Sequence, residues 1–213
     1  MSNQESLDGA VCPVHPLAQD AQALQAAVRD RYAAVALEPT AQYSFQVGRD
    51  FAIALGYPSD LLNRLPTSAV DAFTGVGTPV LQAEIRVGER VLDLGCGAGL
   101  DLAIAAEATG PGGRVLGIDI AQPMTQRARQ TIGALKLTSA WTIVAAAEAV
   151  PLADDWADVV VANGILNLAP SKAAILVEVA RILKPGGRFV LAETTLRHPI
   201  SPDEVKTLDD WFR

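Results

Sequence analysis

The 213-residue chain is poor in the residues that build disulfide frameworks and metal centres. Its two cysteines, Cys12 and Cys96, are far apart in sequence, which excludes a disulfide framework and fits a reduced, cytoplasmic setting. The two histidines, His15 and His198, leave Cys12 and His15 as the one close pair of candidate metal ligands. That pair lies in a polar, proline-containing leader, so we predict no metal site.

Basic side chains are also scarce, with 17 lysines and arginines against 24 acidic residues and a net charge near −7. A nucleic-acid-binding domain usually presents a basic surface, so this balance predicts no nucleic-acid partner. No apolar run is long enough to cross a membrane, and the polar N-terminus lacks the features of a secretory signal. Half of the residues are apolar, however, so the chain can build a substantial core.

Short apolar runs alternate with helical patterns from Arg90 onward. The runs cover residues 91–94, 115–120, 141–145, 159–162 and 189–192, and the predicted helices cover about 100–108, 123–135 and 172–183. Continuous apolar runs are typical of parallel strands that are covered on both faces. The pattern therefore predicts an α/β fold with a Rossmann-like, doubly wound, mainly parallel sheet.

The first 87 residues differ from the rest in pattern. A loose leader over residues 1–16 precedes a helical pattern from Leu17 to Val35, which Pro39 ends, and shorter helices are predicted near 47–55, 59–63 and 79–86. We therefore predict two units: a leader with an N-terminal helical cap over residues 1–87, and a Rossmann-like core over residues 88–213.

A glycine-rich turn follows the first predicted strand. Gly95, Gly97 and Gly99 stand at alternate positions, where they permit a tight turn and the close approach of a ligand to the start of the next helix. The dinucleotide-binding fingerprint would need a glycine where this chain has Leu100. This difference argues against a nicotinamide-dependent oxidoreductase, which we keep as the less favoured alternative. Asp119 ends the second strand, where a carboxylate can accept hydrogen bonds from ribose hydroxyls.

Five stretches of the chain together resemble class I S-adenosylmethionine-dependent methyltransferases. They read VLDLGCGAG, GIDI, AEAVPL, ADVVVANGILNL and ARILKPGGRFVLAE, and they span about residues 88–196. The resemblance implies S-adenosylmethionine as cofactor, methyl transfer to a small molecule, and the strand order 3-2-1-4-5. The sixth and seventh strands of the family are expected to be missing. The cofactor residues that it implies are Asp93 and Asn163 near the amino group, Gly95, Cys96 and Gly97 at the methionyl part, Asp119 at the ribose, Ile120 and Met124 on the adenine, and Ala147 and Glu148 at its polar edge.

A closer resemblance, to the arsenite methyltransferases, runs from Tyr43 to Leu168. That branch carries cysteines in the glycine cluster over residues 75–79 and directly after Asn163, whereas this chain has Gly164 at the second position and no cysteine in the cluster. Trivalent arsenic needs thiolate ligands, so we predict a small-molecule acceptor other than arsenite. By resemblance alone, Tyr43 and Asn167 lie on the substrate side.

Two further expectations complete the sequence-based interpretation. We find no general base, so a non-catalytic cofactor-binding protein of the same fold stays as an alternative to the methyltransferase. The fifth strand would be an uncovered sheet edge, which predicts a possible homodimer that pairs through that edge.

Overall fold

The structure, a computed structural model, describes residues 21–195. Cys12, His15 and His198 lie outside these residues. No helix in the described part of the chain is both long and apolar enough to cross a membrane.

Five parallel strands form a single sheet within the described residues, in the order β3-β2-β1-β4-β5. The strands are β1 (Arg90–Leu94), β2 (Arg114–Asp119), β3 (Ala140–Val144), β4 (Ala157–Asn163) and β5 (Leu183–Ala192). The central strands β1 and β4 are almost wholly buried, as their continuous apolar sequences predict. The predicted Rossmann-like fold and its strand order are confirmed.

Helices surround this sheet and cover its carboxyl-terminal edge. The helices are α1 (Ala21–Leu37), α2 (Arg49–Leu55), α3 (Ser59–Arg64), α4 (Thr67–Val70), α5 (Pro79–Gln82), α6 (Leu100–Thr109), α7 (Gln122–Ala134) and α8 (Lys172–Ile182). A 3-10 turn, Leu166–Leu168, follows β4. The side chain of Ser171 caps α8 by accepting a hydrogen bond from the Ala174 backbone N–H.

Two elements differ in extent from their predictions. Helix α5 ends at Gln82 instead of near residue 86, because Glu84 adopts a positive φ of 47° that a helix does not allow. Strand β5 begins at Leu183, six residues earlier than predicted, since the Lys-Pro-Gly-Gly segment continues the pairing with β4 through a register shift. Glycine and proline have a low propensity for strands, so propensity alone does not predict that β5 begins in that segment.

The helical cap, defined here as α1 to α5, packs directly on the sheet layer. One continuous buried cluster contains cap residues such as Tyr57 and Leu62 together with Val91 and Val159 of the sheet. Arg127 of α7 donates to the Ala36 carbonyl of α1. The cap therefore shares a core with the sheet, and the division at residue 87 stays a prediction.

The homodimer also stays a prediction, and β5 is the strand on which it depends. Strand β5 pairs with β4 on one side, and Leu191 on it is 43% exposed. An unpaired strand edge can template pairing with another chain. We expect a solution mass of twice the chain's 22.4 kDa in sedimentation equilibrium. A mass of one chain at micromolar concentration would contradict the predicted dimer.

Candidate functional site

A cleft that is partly open to solvent lies at the carboxyl ends of the strands. Its floor comes from the glycine turn after β1, the end of β2, the segment after β3 and the end of β4. Helix α1 covers one side with Gln25, Val28 and Tyr32. Ligands of open α/β sheets bind in this crevice. The predicted residues that line it are Gly95, Gly97, Asp119, Ile120, Ala147, Glu148 and Asn163.

Asp119 anchors the glycine turn to the end of β2. Its carboxylate accepts hydrogen bonds from the backbone N–H groups of Gly97, over 2.9 Å, and Ala121, over 2.8 Å. A carboxylate has about four acceptor positions, so acceptor capacity remains for a ligand's hydroxyl groups. Gly97 has a φ of 51° and nothing within 4 Å of where a Cβ would stand, so the turn leaves open space beside its backbone.

A small pocket opens off the cleft beneath the glycine turn, and Asp93 lines it. The two cavities share Thr74, Gly95, Gly97 and Asn163 in their walls. Asp93 is 2% exposed, and its Oδ2 has no hydrogen-bond partner. Burial, followed by the charges of Asp101 and Asp119, raises its pKa. An orphaned buried carboxylate oxygen of this kind suits a cationic donor from a ligand.

Asn163 uses its side chain to join the cap to the core. Its Oδ1 accepts from the backbone N–H groups of Val76, over 2.7 Å, and Gly77, over 3.1 Å. Its Nδ2 lies 3.0 Å from the Gly77 carbonyl oxygen, 2.9 Å from Asp101 Oδ2 and 3.3 Å from the Tyr57 hydroxyl. The side chain is therefore committed to protein partners, and only the backbone of Asn163 is left for the ligand contact that the resemblance implies.

Besides Asp93, two more of the predicted cofactor residues, Cys96 and Met124, do not line the cleft. Met124 is fully buried in a cluster with Val35 and Ala36 of α1 and with Ala72 and Ala98, so its contact with adenine stays a prediction. Cys96 lines the small pocket but is 6% exposed, and a Cβ built on Gly117 would stand 2.8 Å from its Sγ. Burial raises the pKa of its thiol well above the usual value. Cys96 therefore serves mainly in packing behind the turn.

The two predicted substrate-side residues, Tyr43 and Asn167, also do not line the cleft. The Tyr43 hydroxyl donates to the Glu38 carbonyl, and its ring stacks on Phe45 at 5.6 Å. The Asn167 amide donates to the Glu193 carboxylate over 3.0 Å. Both side chains support local structure, and neither lines the cavity.

Three residues of the site were missed by sequence reasoning: Tyr32, Tyr57 and Asp101. Tyr32 lies on α1 over the cleft, and burial raises the pKa of its phenol, so the hydroxyl keeps its proton at neutral pH. Asp101 is 6% exposed in the first turn of α6, and it accepts a hydrogen bond from the Tyr57 hydroxyl over 2.5 Å. The one available signal in the sequence was Asp101 itself, an acidic residue two positions after Gly99 and therefore close to the glycine turn.

The charge of the site fits S-adenosylmethionine better than a dinucleotide. Among the described residues that line the two cavities, four are acidic, and lysine, arginine and histidine are absent. A pyrophosphate would meet unfavourable charge here, whereas a sulfonium and an ammonium group would be attracted. Asp119 and Ile120 line the cleft and Asp93 lines the small pocket, and their carboxylate and apolar side chains have the chemistry that a ribose, an adenine and an ammonium group need, so the residues present fit this cofactor.

The comparisons with known proteins agree with this chemistry. A family model described as a methyltransferase domain matches residues 85–211, more than half of the chain. An arsenite methyltransferase of Halobacterium salinarum is 35% identical over 152 residues, which are 71% of this chain and 38% of that protein. A demethylmenaquinone methyltransferase of Lactiplantibacillus plantarum is 35% identical over 136 residues, 62% of this chain and 54% of that one.

A solved structure is similar as well. The arsenic (III) S-adenosylmethionine methyltransferase of Chlamydomonas reinhardtii aligns with a TM-score of 0.53 at 31% identity, covering 68% of this chain and 48% of that chain. The chain thus spans about half or less of the length of these relatives. The family match decides against the nicotinamide-dependent alternative, and the chain belongs to the class I S-adenosylmethionine-dependent methyltransferases, near their arsenite branch.

Proposed function

We propose that this chain transfers a methyl group from S-adenosylmethionine to a small, largely apolar molecule and not to arsenite. The observation that carries the proposal is the contact between Gly164 and Val76. Gly164 lines the cleft directly after β4, and a Cβ built on it would stand 3.2 Å from Val76 Cγ1. The arsenite branch bears thiols in this glycine cluster and at the position of Gly164, but this chain places a methyl group against a glycine.

Several other residues that line the cleft are apolar too. Val28 of α1 faces the same cleft as Ile165 and Leu168 after β4. Cys96, the one free cysteine among the described residues, is buried with a raised pKa. A soft trivalent ion needs several thiolates, so these surroundings are poor for arsenite and suitable for an apolar acceptor.

The protein contributes orientation and the exclusion of water to such a reaction. When bound, S-adenosylmethionine supplies a sulfonium methyl group whose bonding electron pair returns to sulfur as the acceptor's nucleophile takes the carbon. Asp119 would hold the ribose and the glycine turn would hold the methionyl part of the cofactor, while α1 covers one side of the cleft. The phenol of Tyr32 keeps its proton and is no base at neutral pH, so we expect an acceptor whose nucleophile is already deprotonated there, such as a thiolate or an aromatic amine.

An acceptor panel tests this proposal. The protein is incubated with S-adenosylmethionine and, in separate reactions, apolar thiols, amines, phenols, or arsenite with glutathione, and S-adenosylhomocysteine and methylated products are measured by chromatography. We expect turnover with an apolar thiol or an aromatic amine and no methylated arsenic. Methylated arsenic formed at multiple turnovers would overturn the proposal.

The same panel separates the remaining alternative. Tight cofactor binding without turnover on any acceptor would favour the non-catalytic cofactor-binding protein. Reactions with Asp119→Ala protein give the background rate, since that variant is expected to lose most of its cofactor affinity.

A further inference from the structure

The cluster of Tyr57, Asp101 and Asn163 is the point where the helical cap touches the small pocket. Tyr57 lies between α2 and α3, is 2% exposed, and donates its hydroxyl to Asp101 Oδ1. Asn163 at the end of β4 donates to Asp101 Oδ2 over 2.9 Å. Each carboxylate oxygen of Asp101 therefore has one donor from the protein and keeps acceptor capacity for another.

Asp101 shares the small pocket with the orphaned carboxylate oxygen of Asp93. Both side chains are more than nine-tenths buried and both line the cavity. Two buried carboxylates without a cation are unfavourable, because each disfavours the ionised form of the other. A primary ammonium group, with three donors and one positive charge, would satisfy both acids.

We propose that Asp101 binds the ammonium group of the cofactor together with Asp93, and that Tyr57 is a positioning residue that keeps the Asp101 carboxylate fixed and ionised. The cap then has to be seated on the core before the pocket can hold the amino-acid end of the cofactor. The inference rests on the assignment of S-adenosylmethionine as cofactor and is independent of the methyl acceptor.

The protonation of the pocket agrees with this arrangement. Burial raises the pKa of Asp101 to about 6, while the hydrogen bonds from Tyr57 and Asn163 act to lower it. The other titratable groups around it are Asp93, Asp119 and the Cys96 thiol, whose raised pKa values all have burial as the first cause.

Loss of the Tyr57 hydroxyl therefore has a predictable sign. It removes a donor that favours the ionised carboxylate, so the pKa of Asp101 rises from about 6 toward neutrality. More of the protein then carries an uncharged Asp101 at pH 7, and affinity for an ammonium group falls there. The loss is recovered at higher pH, where the carboxylate ionises again.

Two ligands that differ at the ammonium group test the proposal. S-adenosylhomocysteine carries the amino-acid end, whereas 5′-methylthioadenosine lacks it and shares only the adenosine and the sulfur. Dissociation constants for both are measured by calorimetry between pH 5.5 and 8.5. The ratio of the two affinities reports on the ammonium pocket, because any titration of Asp119 at the ribose affects both ligands alike.

Two variants and a matched control complete the experiment. At pH 7 we expect Asp101→Asn to weaken S-adenosylhomocysteine binding by about 10-fold or more while methylthioadenosine changes little. Tyr57→Phe should shift the pH midpoint of the affinity ratio upward. The control Ser68→Ala removes another cap-to-core hydrogen bond, the 3.0 Å contact with Thr131, and should leave the ratio unchanged.

The possible failures are distinguishable. Equal losses for both ligands at every pH would show that Tyr57 and Asp101 only stabilise the fold, and would overturn this inference alone. A wild-type protein that binds neither ligand would overturn the cofactor assignment as well. If circular dichroism shows that either Asp101→Asn or Tyr57→Phe does not fold, the affinity ratio of the other variant decides the test.

Discussion

Asp119→Ala is expected to weaken S-adenosylmethionine binding by about 3 kcal/mol, on the order of 100-fold. The substitution removes the acceptors that are placed for the ribose hydroxyls. It also takes away the partner of the Gly97 backbone N–H, at 2.9 Å, and of the Ala121 N–H, at 2.8 Å. The glycine turn then keeps its Gly95 and Cys96 backbone hydrogen bonds to the Ile118 carbonyl of β2 but loses the one at Gly97, so the floor of the cleft is held less firmly and loses its charge.

Calorimetric titration with S-adenosylmethionine measures this effect. Asp119→Asn keeps one acceptor oxygen but no charge, so its loss should be smaller. Glu107→Ala removes a carboxylate from the same protein at the surface of α6, where it pairs with Arg64 at 3.6 Å, and should leave the affinity unchanged. An Asp119→Ala protein that binds as tightly as wild type would show that the ribose site lies elsewhere.

The sheet and the cleft floor could be predicted because their signals are local. A strand that is buried on both faces needs a continuous apolar run, and β1 and β4 carry one. The carboxyl ends of parallel strands meet at one edge, so Asp119 and Asn163 had to come close to the glycine turn. The family resemblance supplied the strand order, which a single sequence cannot set by periodicity alone.

The directions in which the Cys96 and Met124 side chains point could not be predicted from these sequence patterns. Cys96 lies between two cleft-lining glycines, yet its side chain points back toward Gly117 and Leu102 of the core. Met124 comes five residues after the end of β2, but in α7 its side chain packs against α1 of the cap. In both cases the residue lies where the motif predicts, and the neighbouring helix decides which way it faces.

The contacts of the cap were beyond sequence reasoning for a different reason. Tyr57 meets Asp101 across 44 positions, and Asn163 meets Asp101 across 62. None of these residues belongs to a periodic pattern, and each is polar in an apolar surrounding. Such pairs form only when segments that are far apart in sequence pack together, so no local spacing predicts them.

Gly75→Ala is expected to destabilise the protein by about 3 kcal/mol, because the site around Asn163 has no room for a methyl group. A Cβ on Gly75 would stand 2.4 Å from Asn163 Nδ2 and 2.7 Å from Oδ1. The Asn163 side chain cannot move aside, since Val76, Gly77 and Asp101 hold it on both ends. Urea unfolding monitored by fluorescence measures the loss.

A double-mutant cycle shows whether this clash is the cause. Asn163→Ala alone should cost about 3 kcal/mol through its lost hydrogen bonds, but in that background the Gly75→Ala methyl group meets empty space. The double variant should therefore be about as stable as Asn163→Ala. Its total loss of stability should be well below the sum of the losses of the two single variants. Gly112→Ala, where a Cβ meets nothing within 4 Å, should change stability by less than about 0.5 kcal/mol. Strictly additive losses in the cycle would mean that Gly75 is constrained by its own backbone and not by the Asn163 side chain that joins the cap to the core.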